Sequence, residues 1–115
     1  MVYLSTNINH RDKKMLIYNT TYQVGNANAR NFVIWINEVY IPKATDSGML
    51  KSPRLTRILN HKEDDSECFS LQFEVEDSTV LHHWHTQCGA SLNDELVKLF
   101  DGDVVGFPTL MEVII

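Results

Sequence analysis

His82, His83, Trp84 and His85 run together, and Cys88 follows three residues later. On a helix, His82 and His85 share one face at i, i+3. That spacing can bring two imidazoles to one metal ion, and zinc accepts both His and Cys ligands. Trp84 and Cys88, however, fall on the opposite, apolar stripe. One helix then supplies two ligands, whereas a structural zinc site is closed by four. The histidines are therefore read as solvated surface groups, with no metal and no cofactor assigned.

The other reactive side chains also have plain structural readings. Cys68 and Cys88 are the only cysteines, too few for a disulfide framework and without a C-x-x-C spacing. A nucleophilic thiol needs an electropositive setting, which His85 alone supplies weakly to Cys88, so both are expected to be structural. Arg54 and Arg57 stand three apart on a strand and must face opposite sides of the sheet. One of them could meet Glu74 or an anion, but an ordinary cross-strand pair accounts for either. Glu63, Asp64 and Asp65 lack the glycine and ligand spacing of a calcium loop and read as a solvated turn. No phosphate-cradling or nucleophile-elbow motif occurs. Trp35 and Trp84 are read as core residues of two helices.

These residues must be held by a chain of 115 residues, the length of one domain. Its hydrophobic fraction of 43% suffices for a packed core. A net charge of -5 argues against a nucleic-acid partner, which would favour a basic face, and against an anionic membrane surface. Apolar runs such as Phe32 to Ile36 are far too short to span a bilayer. The N-terminus carries no apolar core of a signal peptide. A cytoplasmic protein with free thiols is the expectation.

The pattern of elements begins at Met15. Residues 1–14 are polar, aperiodic and end in a charge cluster, so they are expected to form a disordered extension outside a domain of residues 15–115. Leu16 to Val24 is β-branched and aromatic, a first strand. Ala27 to Pro42 has helical spacing, with Phe32, Trp35, Ile36, Val39 and Tyr40 on one stripe. Asn28 is the expected N-cap, and Pro42 the expected end. Pro53 to His61 reads as a second strand, its proline suiting an edge. Glu67 to Val75 alternates strictly and forms a third, with Phe69, Leu71, Phe73 and Val75 on the buried face. Asp77 or Ser78 caps a second helix carrying Val80, Leu81, Trp84 and Cys88, then Leu92, Leu96, Leu99 and Phe100 beyond an interruption at Gly89. Asp101-Gly102 ends it. Val104 to Ile114 is the last strand, and Pro108 again marks an edge.

Strand, helix, strand, strand, helix, strand is the ferredoxin-like βαββαβ plan of the α+β class. Right-handed crossovers place both helical segments on one face of a four-stranded antiparallel sheet. Phe69, Leu71 and Phe73 would then pack on Phe32, Trp35, Trp84 and Leu96. The second face is left to Gln72, Glu74, Asn19, Thr21 and Glu112, among apolar Ile17, Ile58 and Leu110. A homodimer paired across that face is expected, two-fold symmetry being the commonest.

The run Met15-Leu16-Ile17-Tyr18-Asn19, the helix with Trp35 followed by Ile41-Pro42, and the ending Thr109-Leu110-Met111-Glu112-Val113 together resemble a family of small bacterial proteins, domain of unknown function family 4286. The resemblance covers residues 15–114. It implies a dimeric α+β barrel arrangement and a homodimer, and it implies no activity, cofactor or catalytic residue.

Two functional classes remain. One is a homodimeric module that binds a small molecule or a partner without catalysis. The other is a small cofactor-independent enzyme, like the monooxygenases or isomerases built on dimeric α+β barrels, with its site in the cleft between helices and sheet. The candidate pocket residues are Tyr18, Asn19, Gln72, Glu74 and His82. The first class is preferred, because catalysis needs mutually oriented groups that no motif here supplies.

Overall fold

The computed structural model of the protein describes residues 14–60 and 64–115. Within them the chain runs β1 (Leu16–Gly25), α1 (Asn26–Trp35), a π turn (Ile36–Tyr40), α2 (Ile41–Thr45), β2 (Leu50–Ile58), β3 (Ser66–Val75), α3 (Ser78–Trp84), a second π turn (His85–Gly89), α4 (Ala90–Leu99) and β4 (Val104–Glu112). The four strands form one antiparallel sheet in the order β2-β3-β1-β4. The first and last strands are thus neighbours, with β2 and β4 at the edges. Pro53 and Pro108 both sit on these edge strands, where a missing amide costs least. The proposed extension at residues 1–14 lies, up to residue 13, outside the described residues, as does His61.

Alternation decides which side is core. Phe69, Leu71, Phe73 and Val75 on β3 are buried, and so are Tyr22 and Val24 on β1. They pair in register, Tyr22 opposite Phe69 and Thr20 opposite Leu71, so they share the helix-covered face. Phe32 is fully buried over this layer, with ring centroids 5.1 Å from Tyr22 and 5.4 Å from Phe69. Trp84, Leu92, Leu96 and Phe100 complete the core from the second helical arm.

The first helical arm does not stop at Pro42. It continues to Thr45, with Pro42 in the opening turn of α2. The π turn that precedes it explains both this and the burial pattern. Ala29, Phe32, Ile36, Tyr40 and Ala44 are the buried residues of the arm. A row spaced by four overshoots a 3.6-residue turn and drifts round the axis by about 40° at each step. A turn closed by i→i+5 bonds takes up an extra residue, so the row stays aimed at the sheet. Proline in the first turn of α2 lacks only a donor that a first-turn position can spare. Trp35 accordingly sits beside the core, half-buried, with its ring 5.9 Å from Tyr40 and 6.3 Å from Phe100. Ile36 takes the place under the arm that Trp35 was expected to fill.

Other boundaries also move. The helix starts at Asn26, so Asn28 is not its cap; Gly25 holds that position without a side-chain bond. The first amide is satisfied by the Asp65 carbonyl at 3.0 Å, and Asn28 Nδ2 donates to Asp103 Oδ2 at 2.8 Å. β2 begins at Leu50, three residues before Pro53, because Leu50 pairs with Val75 and is buried. The register then shifts between Lys51 and Arg54, with Ser52 at φ 54°, the mark of a bulge. Leu99 is exposed rather than core. Leu110 and Glu112 pair with Tyr18 and Leu16 and so lie on the helix side, not the open face; Val105, Phe107, Thr109 and Met111 take the open positions. As expected, Asp77 caps α3, accepting from the Val80 amide at 2.9 Å, and Asp101 and Gly102 both adopt left-handed φ after α4. No helix among the described residues is long and apolar enough to cross a membrane.

Replacing Phe32 with Ala empties the centre of this layer. The expected loss is ~3–5 kcal/mol of unfolding free energy, read from the urea midpoint at unchanged slope. A loss below about 1 kcal/mol would contradict its central place.

Candidate functional site

The helices cover the middle of the sheet and leave a cleft over its β1–β4 side. Tyr18, Thr20 and Tyr22 of β1 and Gly106 and Pro108 of β4 form its floor. Trp84 overhangs it from the end of α3, and His85 and Gly89 from the second π turn, with Asn93 and Val97 from α4, and Tyr40 enters from the first π turn. Its volume is about 410 Å³, within the range of small-molecule sites.

Two glycines make this shape. A Cβ on Gly89 would lie 2.4 Å from the Trp84 ring, and one on Gly106 would lie 2.9 Å from Tyr22 Cε1. Both rings pack directly against bare backbone. Trp84 is fixed further by its indole N–H, which donates to the Ala44 carbonyl at 2.9 Å in a buried bond, and by an edge contact with Tyr18 at 6.0 Å.

The phenols at the back of the cleft are buried, with Tyr22 4% and Tyr40 5% exposed. Burial pushes the Tyr22 phenol up to about 12, opposed by hydrogen bonding from Tyr40 and Thr20. Tyr40 is pushed up as well, first by burial and then by Tyr22 and Tyr18. Both therefore stay neutral and protonated near pH 7, as proton donors rather than bases.

The five residues proposed from sequence are not brought together. Tyr18 lines the cleft. Asn19 and Gln72 are register partners on the open face of the sheet. Glu74 is on that face too and borders a different hollow, beside Lys51 and Met49. His82 is exposed on α3, and His85 is the histidine that reaches the cleft. Thr20, Tyr22, Tyr40 and Asn93 were missed. The signal was present in Tyr18, Thr20 and Tyr22, which alternate on one face of β1, but Tyr40 and Asn93 needed the helices docked.

The remaining candidates have structural surroundings. Cys88 Sγ donates to the Lys43 carbonyl at 3.6 Å, and burial pushes its thiol up despite nearby Lys43, the opposite of activation. Arg57 pairs with Glu67 at 2.8 Å and lies 5.4 Å over the Phe69 ring, while Arg54 faces the open side opposite Gln72. Among the described residues, no three His, Cys, Asp or Glu side chains are grouped as a metal set.

The open face is organised in two parts. Asn19 Nδ2 donates to Thr21 Oγ1 at 3.2 Å, Ser70 Oγ donates to Asn19 Oδ1, and Gln23 Nε2 donates to Ser66 Oγ at 3.1 Å. Beside this polar centre runs β4, whose Val105, Phe107 and Met111 are exposed, 55% for Phe107.

A family model described as domain of unknown function (DUF4286) matches residues 15–114. No curated protein matches the chain. Among solved structures, the fold is similar to a dimeric ferredoxin-like protein from an uncultured marine organism, with a TM-score of 0.69 and 12% identity over 89% of this chain and 97% of that one. At that identity the likeness concerns the fold.

The Tyr22 phenol has a direct test. Its folded pKa lies above the ordinary 10.0, so its contribution to stability is complete below pH ~10 and is lost as pH rises toward ~12. The difference in unfolding free energy between wild type and Tyr22→Phe should be constant below pH ~10 and shift against the wild type above it. A difference that stays flat through pH ~12 would contradict the burial of this phenol.

Proposed function

This chain belongs to the domain of unknown function family DUF4286, and we propose that it is a homodimeric α+β module that binds a small molecule in the tyrosine-lined cleft. One observation carries the reading. π turns make up well under 1% of residues in globular proteins and gather at functional sites. The described residues hold two, on different helices, and both deliver side chains to the same cleft: Tyr40 from one, His85 from the other.

The homodimer rests on the uncovered sheet face. An exposed edge strand bearing Val105, Phe107 and Met111 invites association unless something covers it. A second copy brings the same surface in return, and two-fold pairing closes without leaving a further edge patch free. The ferredoxin-like neighbour described as dimeric supports this choice of partner.

A second reading, a cofactor-independent enzyme at the same cleft, draws on His85 standing at the mouth of a cavity backed by protonated phenols. Turnover of a bound ligand, rather than its retention, would mark that case.

Native mass spectrometry of protein purified from its own host tests the main reading. The expected species is twice the chain mass with a retained small molecule. Val97→Trp, at an exposed rim position, should remove the ligand and keep the dimer. Phe107→Asp with Met111→Asp should give monomers. A wild-type monomer at micromolar concentration would overturn the dimer, and a wild-type spectrum as free of adduct as Val97→Trp would overturn the binding site.

A further inference from the structure

Resting on the reading of the cleft as a binding site, we propose that its ligand is uncharged, built on a flat ring system, and carries a hydrogen-bond acceptor such as a ketone carbonyl.

Charge is the first argument. Among the described residues, no Lys, Arg, Asp or Glu lines the cleft. A carboxylate or phosphate carried to its back would lose water and find no cation there, and an amine would find no carboxylate. Burying an unpaired charge is among the least favourable steps a site can ask of its ligand. His85 is exposed at the rim, where water already solvates it.

The second argument is the donors at the back of the cleft. Tyr22, Tyr40 and Thr20 are buried residues that line it, each carrying a hydroxyl, and buried hydroxyls as a rule find an acceptor. Asn93 at the rim offers a second polar contact.

Shape is the third. Tyr18, half-buried on the floor, presents aromatic surface and is backed by the buried Trp84 ring at 6.0 Å and 61°, while Val97 and Pro108 bound the other sides. An aromatic or fused-ring body meets such walls by edge and face contacts.

Three probes of matched shape separate these ideas: acetonaphthone, naphthoate and naphthamidine, neutral, anionic and cationic on the same ring. Each is titrated into the full-length protein near neutral pH, and amide NMR shifts are followed at Gly89 and Gly106 with the Trp84 indole N–H. The ketone should bind about tenfold or more tighter than either ion, with shifts confined to the cleft. Tyr22→Phe should weaken the ketone several-fold and leave methylnaphthalene, which has no acceptor, unchanged. Val97→Trp should abolish binding of all of them. If either ion equals the ketone, the neutral class is overturned while the cleft remains a binding site. If none of the probes moves the cleft resonances, the ligand class is overturned, and the retained-ligand spectrum decides separately on the site.

Discussion

The indole N–H of Trp84, donating to the carbonyl of Ala44, ties the two helical arms together over the sheet. Ala44 lies near the end of the first arm, where the last carbonyls have no helical partner. Trp84 lies at the end of α3, immediately before the second π turn. The bond satisfies a buried polar group on each side, and loss of either partner would strand the other in an apolar layer. The same ring contacts Tyr18 below and occupies the space that a side chain on Gly89 would need. The position of the arms, the roof of the cleft and the absence of a Cβ at Gly89 are therefore one constraint.

The π turns follow from a similar economy of space. Each arm must carry large residues at intervals that an ideal α-helix does not keep in line. In the first arm the buried row advances by fours from Phe32 to Ala44; in the second it jumps five, from Trp84 to Gly89. Widening one turn corrects the heading without breaking the helix. It also turns Tyr40 and His85 toward the β1–β4 side of the sheet, where the helices do not cover it. The cleft and the correction of helical phase have a common origin. Sites built in this way sit on rigid elements, which favours a fixed geometry over a mobile loop.

Much of the fold was legible in the chain. β3 announces itself through strict alternation from Phe69 to Val75, and Asp77 caps α3 because an Asp oxygen accepts an early helical amide. Both edge strands were marked by prolines. Errors came where a local rule met a tertiary one. Pro42 is a helix terminator in isolation, yet beside a π turn it stands in a position with no donor to lose. Asn28 has the chemistry of a cap, but strand pairing brings Asp65 close enough to satisfy the helix start two residues earlier. β4 has no polar alternation, so the face assigned to Leu110 and Glu112 could not be read from pattern; pairing with β1 sets it. The candidate site was less legible. Of the residues proposed from the chain, Tyr18 lies in the cleft, whereas Asn19, Gln72 and Glu74 belong to the opposite face.

The chain by itself determined the class, the order of elements and the strand that defines the core. Those depend on periodicity and turn chemistry, which are local and survive without knowledge of contacts. Only the tertiary structure decided which histidine meets the cleft, why Trp84 rather than Trp35 is buried, and how Tyr22, Tyr40 and Thr20 come to line one cleft. Helical phase at a π turn and the register of an unpatterned edge strand are set by packing across the sheet. They join residues tens of positions apart, and nothing in the spacing along the chain encodes them.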